Sequence, residues 1–237
     1  MIEWLAALIM AATPPAVSSS APPPPPLSPA SLAAVQKVYD AYRDVSLRQA
    51  ALPPAKDDAE KLVRLQDLDQ AGRDVYGVVD FNALPEKERT IVSAAIFREI
   101  TAHDIDDQQA LKAMLPAKGW FTLSAYGAPA AKAAFLIVQH AVNDPDLMKT
   151  ALVRMEPLLA KKEVDGEAYA LLYDRLSLQF LKHPQRYGSQ VQCKHGQAIL
   201  MDLEDPAHVD ERRKSVGMAM SEADYIALFA SHCKNAP

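Results

Sequence analysis

The most constraining stretch of the chain is GEAYALLYDRLSLQFL, residues 166–181. Projected at about 100° per residue, its apolar side chains surround nearly the whole wheel. A helix that is apolar all round belongs in the middle of a core. Yet Asp174 projects between Leu178 and Leu181, and Arg175 between Leu171 and Ala168. A buried charge that loses its partner costs about 3–5 kcal/mol. A fold that accepts this helix must therefore give each charge a partner or a wet cavity. Adjacent helix residues do not face one another, so Asp174 and Arg175 are expected to bond to different elements.

The remaining segments are also helical in period. Ser31 is the expected N-cap of a first helix carrying Leu32, Val35, Val38 and Tyr42, which ends before Pro53-Pro54. A second helix is expected over 57–76, a third from Pro85 toward His103, and a short fourth over 107–115. Gly119-Trp120 marks a turn, with Trp120 a core anchor. A fifth helix is expected over 128–143, and a sixth from Asp144-Pro145, where an N-cap residue precedes a proline at the first helical position. The sixth kinks or stops at Pro157. After the central helix the period changes: in VQCKHGQAILMDL, residues 191–203, Ile199, Met201 and Leu203 alternate in the second half and Gly196 sits in the middle, which predicts a β-hairpin. Asp205-Pro206 opens another helix, ended by Gly217, and Ser221 with Asp224 forms a capping-box-like start for the last. The predicted fold is mainly α, an irregular antiparallel helical domain over 31–237 with one small β-hairpin near 190–203.

Three further stretches carry candidate polar groups. In LQDLDQAGRDVYG, Asp69 shares the inward stripe with Leu62 and Tyr76, next to Gln70, and Arg73 is four residues on, within reach for an ion pair. Gln139 and His140 follow the apolar run AAFLIV; His140 is a base suited to neutral pH, with Asp174 a candidate to orient it. HPQRYGSQ, residues 183–190, crowds Gln185, Tyr187 and Gln190 around Gly188 just after Pro184 stops the central helix.

Composition narrows the classes of function. The 237 residues carry a formal net charge of -5, with 49% hydrophobic and 23% charged residues. That fits a globular core and lacks the basic footprint that nucleic acid requires. There is no phosphate-cradling glycine loop, no G-x-S-x-G elbow and no H-E-x-x-H helix. Cys193, His195, His183, His208 and Cys233 lack standard ligand spacing, so no metal and no cofactor are implied.

The first residues, MIEWLAALIMAATPPAVSSSA, have the outline of a secretory signal peptide over 1–20, without a basic residue ahead of the apolar run. That run is too short to span a bilayer, so no transmembrane segment is expected in the mature chain. Residues 21–30 read as a Pro-rich tether. The expected location is periplasmic or secreted, and cytoplasmic if the apolar run is not a signal. Export would permit a disulfide between Cys193 and Cys233; two separate buried thiols is the other reading.

LDQAGRD, GWF at 119–121, IVQHA at 137–141, LLYDR at 171–175, PQRYGSQ at 184–190 and LEDPAHVDERRKSVG at 203–217 resemble, in that order, an uncharacterised bacterial family, a domain of unknown function. Its motifs are D-Q-x-x-R, an acidic-Asn segment, G-W-[PF], Q-H-A-D, L-x-D-R, Q-x-Y-G-T-Q and E-D-P followed by R-R. The resemblance covers about residues 60–230. It implies signature positions at Asp69, Gln70, Arg73, Asp104, Gln139, His140, Asp174, Arg175, Gln185, Tyr187, Gly188 and Gln190. Asp107 stands where Asn is usual, Val142 where Asp is usual, and Ser189 where Thr is usual. The resemblance implies no activity.

Three readings follow. In the first, the domain is a binding or interaction module for a small anionic or peptide-like ligand or an envelope protein. Asp69, Gln70, Arg73, Gln139, Arg175, Gln185 and Gln190 would line its pocket, guanidinium groups gripping carboxylate or phosphate. In the second, it is a hydrolase or lyase with His140 or Asp174 as general base, Arg175 stabilising negative charge and Tyr187 donating a proton. In the third, these side chains are a buried network that fixes helix packing.

Overall fold

A computed structural model describes residues 26–230 and Cys233. The signal expected over 1–20 and the first half of the expected tether, residues 21–25, lie outside the described residues. The fold is mainly helical with a single two-stranded hairpin among the described residues.

Helix α1 (Pro29–Ala50) begins earlier than expected. Ser28, not Ser31, is its N-cap, and its hydroxyl accepts from the Ser31 amide. Pro29 supplies a helical φ at the first position, so the end of the stretch read as tether is the first turn of the helix. Ser31 is instead fully buried. The Glu88 carboxylate accepts from both the amide and the hydroxyl of Ser28, tying this start to α3.

Helix α2 (Asp58–Gly77) is capped by Asp57, whose side chain accepts from the Glu60 amide. Helix α3 (Glu86–Met114) merges the third and fourth expected helices into one of 29 residues. The acid-rich HDIDD segment was expected to break it. As one helix, α3 places Asp104, Asp107 and Gln108 on the inward stripe of Val92, Ile96, Ile100 and Leu111. The polar cluster on that stripe supplies the burial that the sequence pattern concealed.

Helix α4 (Leu123–Gln139) starts earlier and ends sooner than expected and is kinked at Gly127, φ 79°. Helix α5 (Pro145–Leu159) is capped by Asp144, as the Asp-Pro pair predicts, and passes through Pro157 in its final turn. Helix α6 (Gly166–Leu176) is the central helix. It ends in a π-helical turn, Ser177–Leu181, closed by Lys182 in the left-handed region. Strands β1 (Val191–Lys194) and β2 (Gln197–Leu200) pair antiparallel. Helices α7 (Val209–Ser215) and α8 (Glu222–Ala227) follow. Cys193 and Cys233 form a disulfide with Cα atoms 5.1 Å apart, which fastens the hairpin to the end of the described chain.

Two apolar cores result. One joins α1, Ala71 of α2 and the Val92–Ile100 face of α3. The other joins α4, α5 and α6 with Leu62, Leu111, Trp120 and Phe121. Helices α2 and α3 serve both, and their charged residues fall where one core gives way to the other. No helix of the described residues is long and apolar enough to cross a membrane.

Candidate functional site

The expected site residues separate into two clusters. The first lies in the seam between the cores. Asp69 accepts from His140 Nδ1, at 2.8 Å through Oδ1 and 3.0 Å through Oδ2. Since a carboxylate only accepts, Nδ1 carries the hydrogen, and a neutral imidazole then leaves its lone pair on Nε2. Asp174, expected as the orienting acid, is elsewhere. Gln70 also donates to Asp69 from the neighbouring position.

Arg73 was expected to pair with Asp69, yet its main partner is Asp104 on α3. Nη1 and Nη2 donate to the two Asp104 oxygens at 2.8 and 2.9 Å, a fork-to-carboxylate pair. Nη1 also donates to the Asp69 carbonyl at 2.7 Å, while its approach to the Asp69 carboxylate is longer, 3.4 Å. Burial works against the Arg73 charge, but the Asp104 bond and both carboxylates outweigh it, holding the guanidinium above its ordinary value.

Arg175 reaches the same seam from α6. Its Nη1 donates to the Gln139 carbonyl, the last of α4, at 2.9 Å. With the Gln139 amide oxygen turned toward it, Nε and Nη2 donate there at 3.1 and 3.2 Å. The guanidinium therefore caps the negative end of a helix, with no carboxylate partner among the described residues. Burial, and then the charge of Arg73, lower its pKa.

Two further groups complete the seam. Asp107 is 4% exposed, and its Oδ2 has no hydrogen-bond partner among the described residues. Burial, then the charges of Asp69 and Asp104, push its pKa up to about 8. At neutral pH it is thus largely an uncharged carboxyl. Tyr42 stacks on His103, ring centroids 3.5 Å apart, and its buried hydroxyl also has no partner among the described residues. Burial raises its pKa, with Arg73, Asp104 and Asp69 acting on it in turn. Gly72 admits this ring, because a Cβ there would lie 2.5 Å from Tyr42 Oη.

The second cluster is a clasp around residues 185–190. Asp174, fully buried, accepts from the amides of Arg186 (2.7 Å), Tyr187 (3.0 Å) and Ser189 (2.9 Å). Burial raises its pKa and these amides oppose the rise. From the other side, arginines of α7 collect the carbonyls. Arg212 Nε donates to Arg186 O at 2.7 Å, and Arg213 Nη1 to Tyr187 O at 2.9 Å. Arg213 is 1% exposed and lies over the Tyr225 ring. Gln185, also fully buried, accepts from the Gln190 amide and donates to the carbonyls of Gln190 and Met201. The Tyr187 ring packs edge-on against Tyr173, and Gln190 reaches Ser189 and Leu171.

Asp174 and Arg175 thus bond to different elements, as their positions on the wheel require. Two cavities stand out, one beside Trp120 and one beside Ser177, and neither is lined by Asp69, Arg73, His140 or Arg175. The sequence reading left out Tyr42, Arg212 and Arg213 as site residues; the R-R pair after E-D-P was the signal for the last two. Among the described residues, no group of three or more His, Cys, Asp or Glu is arranged to hold a metal ion.

A family model described as a family of unknown function, DUF6624, matches residues 57–233. That span contains every residue of the seam except Tyr42, and the whole clasp. No curated protein and no solved structure matches the chain.

Proposed function

We propose, for a chain that belongs to the family of unknown function DUF6624, that it is a recognition module whose working surface is the seam. One observation carries this reading. The acceptors Asp69 and Asp104 keep 1% and 6% of their side chains exposed, while His140 and Arg73, which they hold, keep 17% and 23%. Groups fixed from behind by buried carboxylates have little ordering left to lose on binding. The complementary ligand is small and offers both an acceptor to the Arg73 guanidinium and a donor to the His140 Nε2 lone pair, as a peptide group does with its C=O and N–H. Gln70, Gln139 and Arg175 flank these groups. Asp174, Gln185, Tyr187 and Gln190 act as the frame that holds α6 in place. Titration with succinate and with short blocked peptides, read by NMR at the His140 ring and the Arg73 side chain, tests this. Saturable shifts, lost in a folded Arg73→Lys variant that lacks the fork, are expected. Unmoved signals across the panel would count against the reading.

A second reading, a hydrolase or lyase with His140 as general base, is favoured by the Asp69–His140 bond. An acid on Nδ1 with Nε2 unbonded is the arrangement a general base needs. Arg73 and Arg175 would then face developing negative charge. Turnover of small esters, amides or β-elimination substrates that His140→Gln abolishes would establish it.

We also propose that the protein is exported. The Cys193–Cys233 disulfide supports this, since such bonds persist in oxidising compartments. Fractionation of cells, with thiol trapping at lysis, tests both location and oxidation state.

A further inference from the structure

A second site stands apart from the seam, at the beginning of α4. The kink at Gly127 separates the turn Leu123–Tyr126 from the rest of that helix. Beside it is a cavity of about 450 Å³, within the range of small-molecule sites. Its floor is aromatic: Trp120, Phe121 and Phe135, each below 10% exposed. The space exists because Ala131 of α4 and Ala168 of α6 face it with small side chains. The walls are tied together. Glu163 accepts from the amides of Leu123 and Ser124, pinning the start of α4 to the α5–α6 loop. Arg154 donates to Pro116 O at 2.8 Å, which seats the turn before Trp120.

The polar lining discriminates among occupants. Lys132 is exposed and forms no ion pair among the described residues. Asp165 and Glu167 also line the cavity, but both are accommodated by the start of α6. Asp165 is its N-cap and accepts from the Glu167 amide at 2.8 Å, and Glu167 lies in its first turn, where the helix dipole favours negative charge. Lys132 is the one cation of this lining. We infer that this cavity binds an apolar carboxylate, its chain or ring on the Trp120–Phe121–Phe135 floor and its carboxylate at Lys132.

Trp120 reports on its own site. The chain has two tryptophans, so Trp4→Phe leaves Trp120 as the sole tryptophan, which can be excited apart from the tyrosines. Decanoate, below its micellar concentration, is expected to change Trp120 emission saturably. Lys132→Gln, at an exposed position, should weaken decanoate by a factor of about two to five, roughly one exposed ion pair's worth, and leave 1-decanol unchanged. Ala131→Leu should abolish binding of both, with the far-UV circular dichroism spectrum retained. If Ala131→Leu disturbs the fold, the Lys132→Gln comparison decides alone. The inference is overturned if decanoate does not saturate the signal. It is equally overturned if decylamine binds more tightly than decanoate, or if Lys132→Gln weakens acid and alcohol alike.

Discussion

His140 Nδ1 lies 2.8 Å from Asp69 Oδ1, joining the end of α4 to the middle of α2 across 71 positions of sequence. Asp69 is 1% exposed, so the bond is made in a region that water scarcely reaches. Its direction fixes the neutral histidine as the Nδ1–H tautomer. Imidazole ¹⁵N shifts should show this directly, with a protonated Nδ1 and a pyridine-like Nε2. Asp69→Asn should release that preference and cost about 1–3 kcal/mol in urea unfolding, since a buried partner is lost. A wild-type His140 found with its proton on Nε2 would contradict the assigned bond.

Asp107 makes stability depend on pH. Its folded pKa of about 8 lies above its ordinary value of 3.8. Between the two, the folded state binds a proton that the unfolded state has released, so stability falls as pH rises through this window. Below about pH 4 both states are protonated and the contribution is fully present; above about pH 8 it is gone. Asp107→Asn keeps the shape without the charge. The variant should match the parent near pH 4 and exceed it by a few kcal/mol near pH 9. Parallel stability curves for the two proteins over that range would rule out a buried charging group at this position.

Asp174 was read from the sequence as a candidate base. Its oxygens are taken by the amides of Arg186, Tyr187 and Ser189. Asp174→Asn turns an NH₂ group toward those donors and should destabilise the fold by about 3 kcal/mol, as loss of charge-assisted bonds to a buried acceptor does. Any ligand affinity measured at the seam should survive wherever the variant remains folded. Lost affinity in a fully folded Asp174→Asn protein would place Asp174 in the binding surface itself.

Much of this arrangement was legible in residues 166–181. An all-apolar helix containing Asp174 and Arg175 had to be central, and its two charges had to point to separate partners. The hairpin and the Asp144-Pro145 start were legible too, because they depend on local period and capping. What escaped was set by distance in sequence. Asp104 and Asp107 looked like a helix break, and only the packing of α3 between two cores makes their stripe an inward one. Asp69 as the partner of His140 likewise depends on the contact of α2 with α4, which no local pattern encodes. HPQRYGSQ showed its polarity, but its partners Arg212 and Arg213 come from α7, more than twenty residues later.

Gly166 tests whether the central helix is held as tightly as its composition implies. It is the first residue of α6, and a Cβ there would lie 1.5 Å from the carbonyl oxygen of Val216. That oxygen is backbone, so it has no rotamer through which to retreat. Gly166→Ala must therefore move either α6 or the turn after α7, and α7 carries the arginines of the clasp. Overpacking of this kind costs about 3 kcal/mol or more. Gly72→Ala is the informative comparison. There the obstacles are the Tyr42 ring at 2.5 Å and the Ile100 side chain at 2.8 Å, which can shift. Its cost should be smaller, about 1–2 kcal/mol, and it should displace Tyr42 from the seam. Urea unfolding of both variants should rank Gly166→Ala as clearly the worse. Equal costs would mean that the approach of α6 to Val216 is looser than the structure describes.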